Sequence, residues 1–192
     1  MSLLTLRALT ELKATGNFAV LTFVGYSGAG YEDCDALHAH IKTVLSFHDP
    51  KRYLVNCGAT EEGIGAVYAL AKAEGFETIG IVSSQAAVNE CKLSPYVDTV
   101  FFVPDETWGG YLPNGELSAT SAAIVDVSDV IVGIGGGEVA RDELLAAKAA
   151  GRRTNYIPAD LNHLTAIKKA VSKGQPTPTD FSGAANVINL QN

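Results

Sequence analysis

The chain reads as an α/β protein of three layers, with a mainly parallel sheet of about six or seven strands covered by helices on both faces. Three observations predict this. Short β-branched apolar runs alternate with amphipathic stretches from one end of the chain to the other. The runs are apolar throughout rather than at every second residue, as strands buried on both faces are. Several of them end in glycine-bearing turns from which a helical pattern starts at once.

The elements follow in order. Phe18 to Val24 is a strand of aromatic and β-branched residues. Asp35 to Leu45 is helical, with Leu37, Ile41, Val44 and Leu45 near helical spacing. Tyr53 to Asn56 is a second strand. Ile64, Val67, Leu70 and Ala71 then share one helical face, and Gly75 stops that helix. Thr78 to Val82 is a third strand, followed by a short helix over 85–92. Thr99 to Val103 is the fourth. Val130 to Ile134 is the fifth, with its helix over 139–150 closed by Gly151. Tyr156 and Ile157 belong to a sixth strand, and a last helix runs near 161–173. The tail beyond Gly174, with Pro176 and Pro178, is expected as an extended strap. One long irregular segment, Pro104 to Gly115, interrupts the alternation, and long loops of this kind usually carry function or move.

At 192 residues the expectation is one domain spanning 1–192. A composition 47% hydrophobic and 18% charged is that of a globular domain. The formal charge of −7 argues against a nucleic-acid surface, which needs clustered Lys and Arg. No apolar run reaches the roughly 18 residues of a membrane span. The opening Met-Ser-Leu-Leu-Thr-Leu-Arg does not read as a secretory leader, so a cytoplasmic location is expected. Cys34, Cys57 and Cys91 are odd in number and widely spaced, which suggests neither a disulfide framework nor a metal site. His38 and His40 do not share a helix face, and His48 and His163 stand alone. Neither a metal nor a resident cofactor is expected.

Three strand-to-helix turns carry the chemistry. They are Gly25-Tyr26-Ser27-Gly28-Ala29-Gly30-Tyr31, Asn56-Cys57-Gly58-Ala59-Thr60-Glu61-Glu62-Gly63 and Gly133-Ile134-Gly135-Gly136-Gly137-Glu138. In open parallel sheets ligands sit at the carboxyl ends of the strands, near the point where strand order reverses. A helix N-terminus there offers free N–H groups and a positive dipole end to a phosphate or a sugar hydroxyl. The first turn lacks the Gly-Lys-Ser/Thr ending of a P-loop and the spacing of the dinucleotide fingerprint, which disfavours ordinary hydride transfer. Ser27, Thr60, Ser118, Thr120 and Ser121 are candidate phosphate or ribose donors, or else helix caps and turn residues. Glu138 either complements the dipole of its own helix or accepts from a ribose hydroxyl. Trp108 and Tyr111 in the long loop either stack on a base or pack within the protein. Cys57 beside the second turn reads as a small buried apolar residue.

Val24-Gly25-Tyr26-Ser27-Gly28, Leu54-Val55-Asn56-Cys57-Gly58 with Gly63-Ile64-Gly65-Ala66-Val67, and Gly135-Gly136-Gly137 with Glu143 together resemble the Lonely Guy (LOG) family, once labelled lysine decarboxylases. That family belongs to the wider SLOG group of Rossmann-like nucleotide-binding proteins, and the resemblance covers most of 17–165. It implies a Rossmann-like fold, a homodimer, and a phosphoribohydrolase that cleaves the N-glycosidic bond of nucleoside 5′-monophosphates. The family signature Pro-Gly-Gly-x-Gly-Thr-x-x-Glu falls on Gly135 to Glu143. Gly135 stands at the Pro position and Val139-Ala140 at the Gly-Thr position, while Gly136, Gly137 and Glu143 match. The family's Arg-Lys pair on the preceding helix falls on Thr120 and Ser121.

The expected ligand is therefore a nucleotide or ribose phosphate. Gly25, Ser27, Gly28, Gly30, Gly58, Thr60, Thr120, Ser121, Gly135, Gly136, Gly137, Glu138 and Trp108 are the candidate binding residues. Glu143 is the candidate catalytic acid, stabilising oxocarbenium charge on the ribose, and Arg141 is the candidate substitute for the missing arginine. Glu143 otherwise reads as a solvated helix residue. Three ligand-binding functions remain open, the hydrolase, a non-catalytic nucleotide sensor or carrier, and a deoxyribosyltransferase-like enzyme with Glu143 as nucleophile; the further alternative is a structural or assembly protein whose glycine turns are dry and packed, with no open cleft.

Overall fold

The computed structural model describes residues 11, 13–15 and 18–191. The opening Met1 to Arg7 lies outside them. Six strands form one sheet: β1 (Ala19–Gly25), β2 (Tyr53–Cys57), β3 (Glu77–Ser83), β4 (Thr99–Val103), β5 (Val130–Ile134) and β6 (Arg153–Ile157). Their order is β4-β3-β2-β1-β5-β6, and every pairing is parallel. The expected parallel sheet is present. The order reverses between β1 and β5, so a crevice opens where their carboxyl ends part.

The helices are α1 (Cys34–Ser46), α2 (Ala66–Ala73), α3 (Gln85–Val88), α4 (Ala119–Val127), α5 (Glu138–Ala149) and α6 (His163–Ser172). Side chains alternate across a strand, so β1 feeds two cores. Leu21 and Phe23 pack with Leu37 and Ile41 of α1 and Val67 of α2. Val20 packs with Ile124 of α4, and Val24 with Ala140 and Leu144 of α5. Each of these side chains is at most 8% exposed, and full burial of one such residue stabilises by roughly 1.5–3 kcal/mol.

Three elements differ from the sequence expectation. The helix expected over 85–92 stops at Val88, because Glu90 turns to φ 51 and the Cys91 amide closes back on the Ala86 carbonyl at 2.8 Å. The helical face expected from Ile64 onward starts later, at Ala66, because Ile64 lies in a tight 3-10 turn, Gly63–Gly65, where a β-carbon on Gly63 would strike the carbonyls of Tyr26 and Ser27. The strap beyond Gly174 ends in a 3-10 helix, Ala184–Gln191, whose Ala185 and Ile188 cover Ala140, Leu144 and Ala147. The apolar stripe of α5 is thus covered by the chain's own tail.

Candidate functional site

The β1–β5 crevice is pinned at its root. The Tyr31 hydroxyl donates to the Ile134 carbonyl at 2.7 Å and accepts from the Tyr26 amide at 3.1 Å, tying the two strand ends together. Gly25 is required beneath it, since a β-carbon there would collide with that hydroxyl and lie 2.7 Å from the Ile134 oxygen. On the other side, the buried Tyr68 hydroxyl accepts the amides of Cys57 and Ala59 at 3.0 and 3.1 Å. Its proton faces the carbonyls of Cys57, 2.6 Å away, and Ile79, 2.9 Å away. This holds the turn after β2, in which Ala59 takes φ 55.

Above these supports lies a cleft of about 340 Å³. Its floor is a polar tape crossing three strands. The Ile81 amide donates to Asn56 Oδ1 (3.2 Å), Asn56 Nδ2 donates to Thr22 Oγ1 (3.1 Å), and Thr22 meets Ser128 Oγ at 2.6 Å. Gly25 and Ser27 form one wall, Gly58 and Thr60 another, and Val139, Ala140 and Glu143 of α5 a third. Thr120 of α4 and Trp108 of the long loop complete it. Trp108 remains 56% exposed, at the mouth. Of the candidate binding residues, Gly25, Ser27, Gly58, Thr60, Thr120 and Trp108 therefore come together, with Glu143.

The others lie elsewhere. Gly28 and Gly30 face a neighbouring cleft. Gly135 and Gly136 serve the turn itself. Their φ values are 54 and 126, and a β-carbon on Gly135 would sit 2.5 Å from the Tyr26 ring. Gly137 is the N-cap residue of α5, no side chain caps that helix, and Glu138 beside it is exposed. Arg141 does not enter the cleft, because its guanidinium is engaged by Asp142 Oδ1 at 2.8 Å.

Glu143 is buried at 4% exposure, not solvated. Its Oε1 accepts the Ser121 hydroxyl at 2.7 Å, and Ser121 Oγ in turn accepts the Gly110 amide at 2.8 Å. Burial pushes the Glu143 carboxyl up to about 7, against the Ser121 hydrogen bond and with help from the neighbouring charge of Asp142. At neutral pH it is shared between acid and carboxylate. Among the described residues lining the cleft there is no lysine, arginine or histidine. Cys57 also faces the cleft, but burial raises its thiol to about 12, so it is no nucleophile at neutral pH.

The loop over the site is organised by a residue that the sequence did not single out, Asp105. Its Oδ2 accepts the Thr120 amide at 2.8 Å and its Oδ1 the Thr107 amide at 2.8 Å. Its carbonyl accepts the Ser84 hydroxyl at 2.9 Å. Burial alone would raise its carboxyl; the donors on Thr120 and Thr107 outweigh that and hold it at about 2. The signal was the Asp-x-Thr spacing just after a strand, a turn that an Asp side chain commonly closes. Asp142 anchors the far end of the loop, accepting the Tyr111 amide at 2.9 Å.

No family model and no curated protein matches the chain. Solved structures do. TM1055, a structural-genomics target, is 23% identical over 71% of this chain and 72% of its own, with a TM-score of 0.51. The molybdenum cofactor carrier protein of Chlamydomonas reinhardtii is 17% identical over 72% of this chain and 76% of its own, TM-score 0.51. A second structure of that carrier is 16% identical, covering 81% of this chain and 99% of its own, also at 0.51. The chain has the Rossmann-like fold that these proteins share.

Proposed function

We propose that the protein binds a nucleotide or nucleotide-like cofactor in the β1–β5 cleft and holds it without turnover, as a carrier or sensor. The observation that carries this reading is the engagement of Arg141 by Asp142, which leaves a cleft lined by one carboxyl and no cation. Cleavage of a nucleoside monophosphate needs charge stabilisation at the leaving group as well as at the ribose. Glu143 alone supplies one half of that. Binding needs less: the uncapped N-terminus of α5 offers main-chain amides beside Val139 and Ala140, and such ends hold phosphate. The fold shared with a cofactor carrier supports the same reading.

The hydrolase is the second reading. It is favoured by Glu143, a carboxyl raised to about 7 in a cleft wall, as general acids are. One experiment separates the two. The purified protein is screened by thermal shift against nucleoside mono-, di- and triphosphates, and each hit is incubated and analysed by chromatography for free base. Stabilisation without base release is the expected result. Base release abolished by Glu143→Gln would establish the hydrolase instead, and a flat screen would remove both. We further place the protein in the cytoplasm as a homodimer acting through one domain, which native mass spectrometry tests for the assembly. Among the described residues no helix is long and apolar enough to cross a membrane.

A further inference from the structure

A second cleft of about 510 Å³ adjoins the first across the carboxyl edge of the sheet. The first opens on the α4–α5 face, the second on the α1–α2 face, lined by Cys34 and His38 of α1 and by Asn162 and Thr165 at the start of α6. Ser27 borders both. The crest between them is the turn after β1, braced by the Ile64 amide on the Tyr26 carbonyl at 2.7 Å.

The crest is bare where it need not be. Neither Gly28 nor Gly58 takes the left-handed backbone that demands glycine. A β-carbon on Gly58 would meet nothing within 4 Å, and one on Gly28 would meet only the end of the Glu62 side chain at 3.1 Å. Gly135 and Gly136 are explained by backbone angle and packing; these two are not. Absent side chains at Gly28 on the crest and at Gly58 on the rim of the first cleft after β2 leave main chain open to a molecule passing over the edge.

We propose that the ligand is bipartite and straddles the sheet edge: a nucleotide in the first cleft, its phosphates between Ser27 and the start of α5, and a second, hydroxyl-bearing moiety that crosses at Gly28 into the α1–α2 cleft. The chemistry of the second cleft decides that moiety. Glu62 lines it together with Glu61, which is ion-paired with Lys92 at 2.7 Å, and among the described residues lining it there is no lysine or arginine, so a further phosphate is disfavoured there. Sugar hydroxyls suit it, since they donate to carboxylates and accept from amides such as that of Asn162. The ligand class is a nucleoside diphosphate carrying a sugar. This rests on the nucleotide reading of the first cleft and adds the second site to it.

The test is calorimetric titration of the whole protein with ADP, ADP-ribose, UDP and UDP-glucose. At least one sugar conjugate binds about tenfold or more tighter than its parent diphosphate, as a second linked contact provides. His38→Trp, at an exposed position, and Thr165→Trp each fill the second cleft. Each removes that gain while leaving the parent diphosphate's affinity unchanged. Diphosphates that bind with no gain from any sugar, or a gain that survives both substitutions, would overturn the bipartite site and leave the nucleotide reading standing. Failure of all four compounds to bind would overturn both.

Discussion

Ser121 gives its only proton to Glu143 at 2.7 Å, and that bond is the sole hydrogen bond found to the carboxyl among the described residues. It favours the ionised form, in opposition to burial. Ser121→Ala therefore raises the Glu143 carboxyl further and leaves the Gly110 amide without its acceptor. Carbon-13 carboxyl titration reads the first effect. A Glu143 titration that stays in place would show that Ser121 does not hold the charge.

Glu143 also couples stability to pH. Its ordinary value is 4.5 and its folded value about 7. Below 4.5 the carboxyl is protonated in both states and costs nothing. Between 4.5 and 7 the unfolded chain releases the proton and the folded chain keeps it, so stability falls as pH rises. The total cost is about 3 kcal/mol, from roughly 1.4 kcal/mol per pH unit of difference. Urea midpoints measured across this window should decline for the native chain and decline much less for Glu143→Gln. Parallel curves would place the carboxyl's titration outside the window.

The glycines of the third turn should separate into two kinds. Gly136→Ala forces a β-carbon to 2.6 Å from that of Ala140 at φ 126, and costs about 2–4 kcal/mol. Gly137→Ala meets nothing within 4 Å and costs only about 1 kcal/mol or less, the usual penalty for alanine in place of glycine at an N-cap. It weakens ligand binding instead, because it crowds the start of α5. Denaturation and titration of both variants check the contrast; equal stability losses would contradict it.

Tyr68→Phe removes the hydroxyl that accepts the buried Cys57 amide and one of two acceptors of the Ala59 amide, which also meets the Cys57 carbonyl at 2.9 Å. The expected loss is about 3 kcal/mol, together with reduced ligand affinity as the turn at Gly58 and Thr60 relaxes. A chemical denaturation curve gives the first. A loss below about 1 kcal/mol would mean that water replaces the hydroxyl.

Trp108 is the chain's one tryptophan, so its emission reports the mouth of the cleft without labelling. Ligand should shift that emission, and Trp108→Ala should weaken binding about tenfold or more, in line with roughly 1–3 kcal/mol for an aromatic stack. Unchanged emission at saturation would place the ligand away from the loop.

The sheet was legible because its strands are continuous β-branched runs, and Thr99–Val103 and Val130–Ile134 fall where the pattern puts them. Helix ends were less so: the turn at Glu90 closes by a local bond from the Cys91 amide to the Ala86 carbonyl that no periodicity marks, and the Gly63–Gly65 turn fits against the distant backbone of Tyr26 and Ser27. The tail's 3-10 helix has no strong period of its own; Ala185 and Ile188 are ordered by the α5 face they cover. In the site, the glycine turns were visible and the burial of Glu143 was not recognised. The signal existed: Glu143 stands three residues after Ala140 and four before Ala147, on the stripe that α5 turns inward. The polar tape of Thr22, Asn56 and Ser128 left no local trace, because its members are adjacent only across strands.

The strand order has a consequence for how the site comes into being. The floor of the cleft comes from β1, β2 and β3, and its roof from α4 and α5, which follow the long loop in the chain. Synthesis of the first half yields a floor with no lid, and the second half has no platform of its own. The proposed binding site therefore needs both halves, with β5 seated beside β1. Ligand capture is a reporter of completed folding, and a chain cut within the long loop would regain it only by rejoining its two pieces.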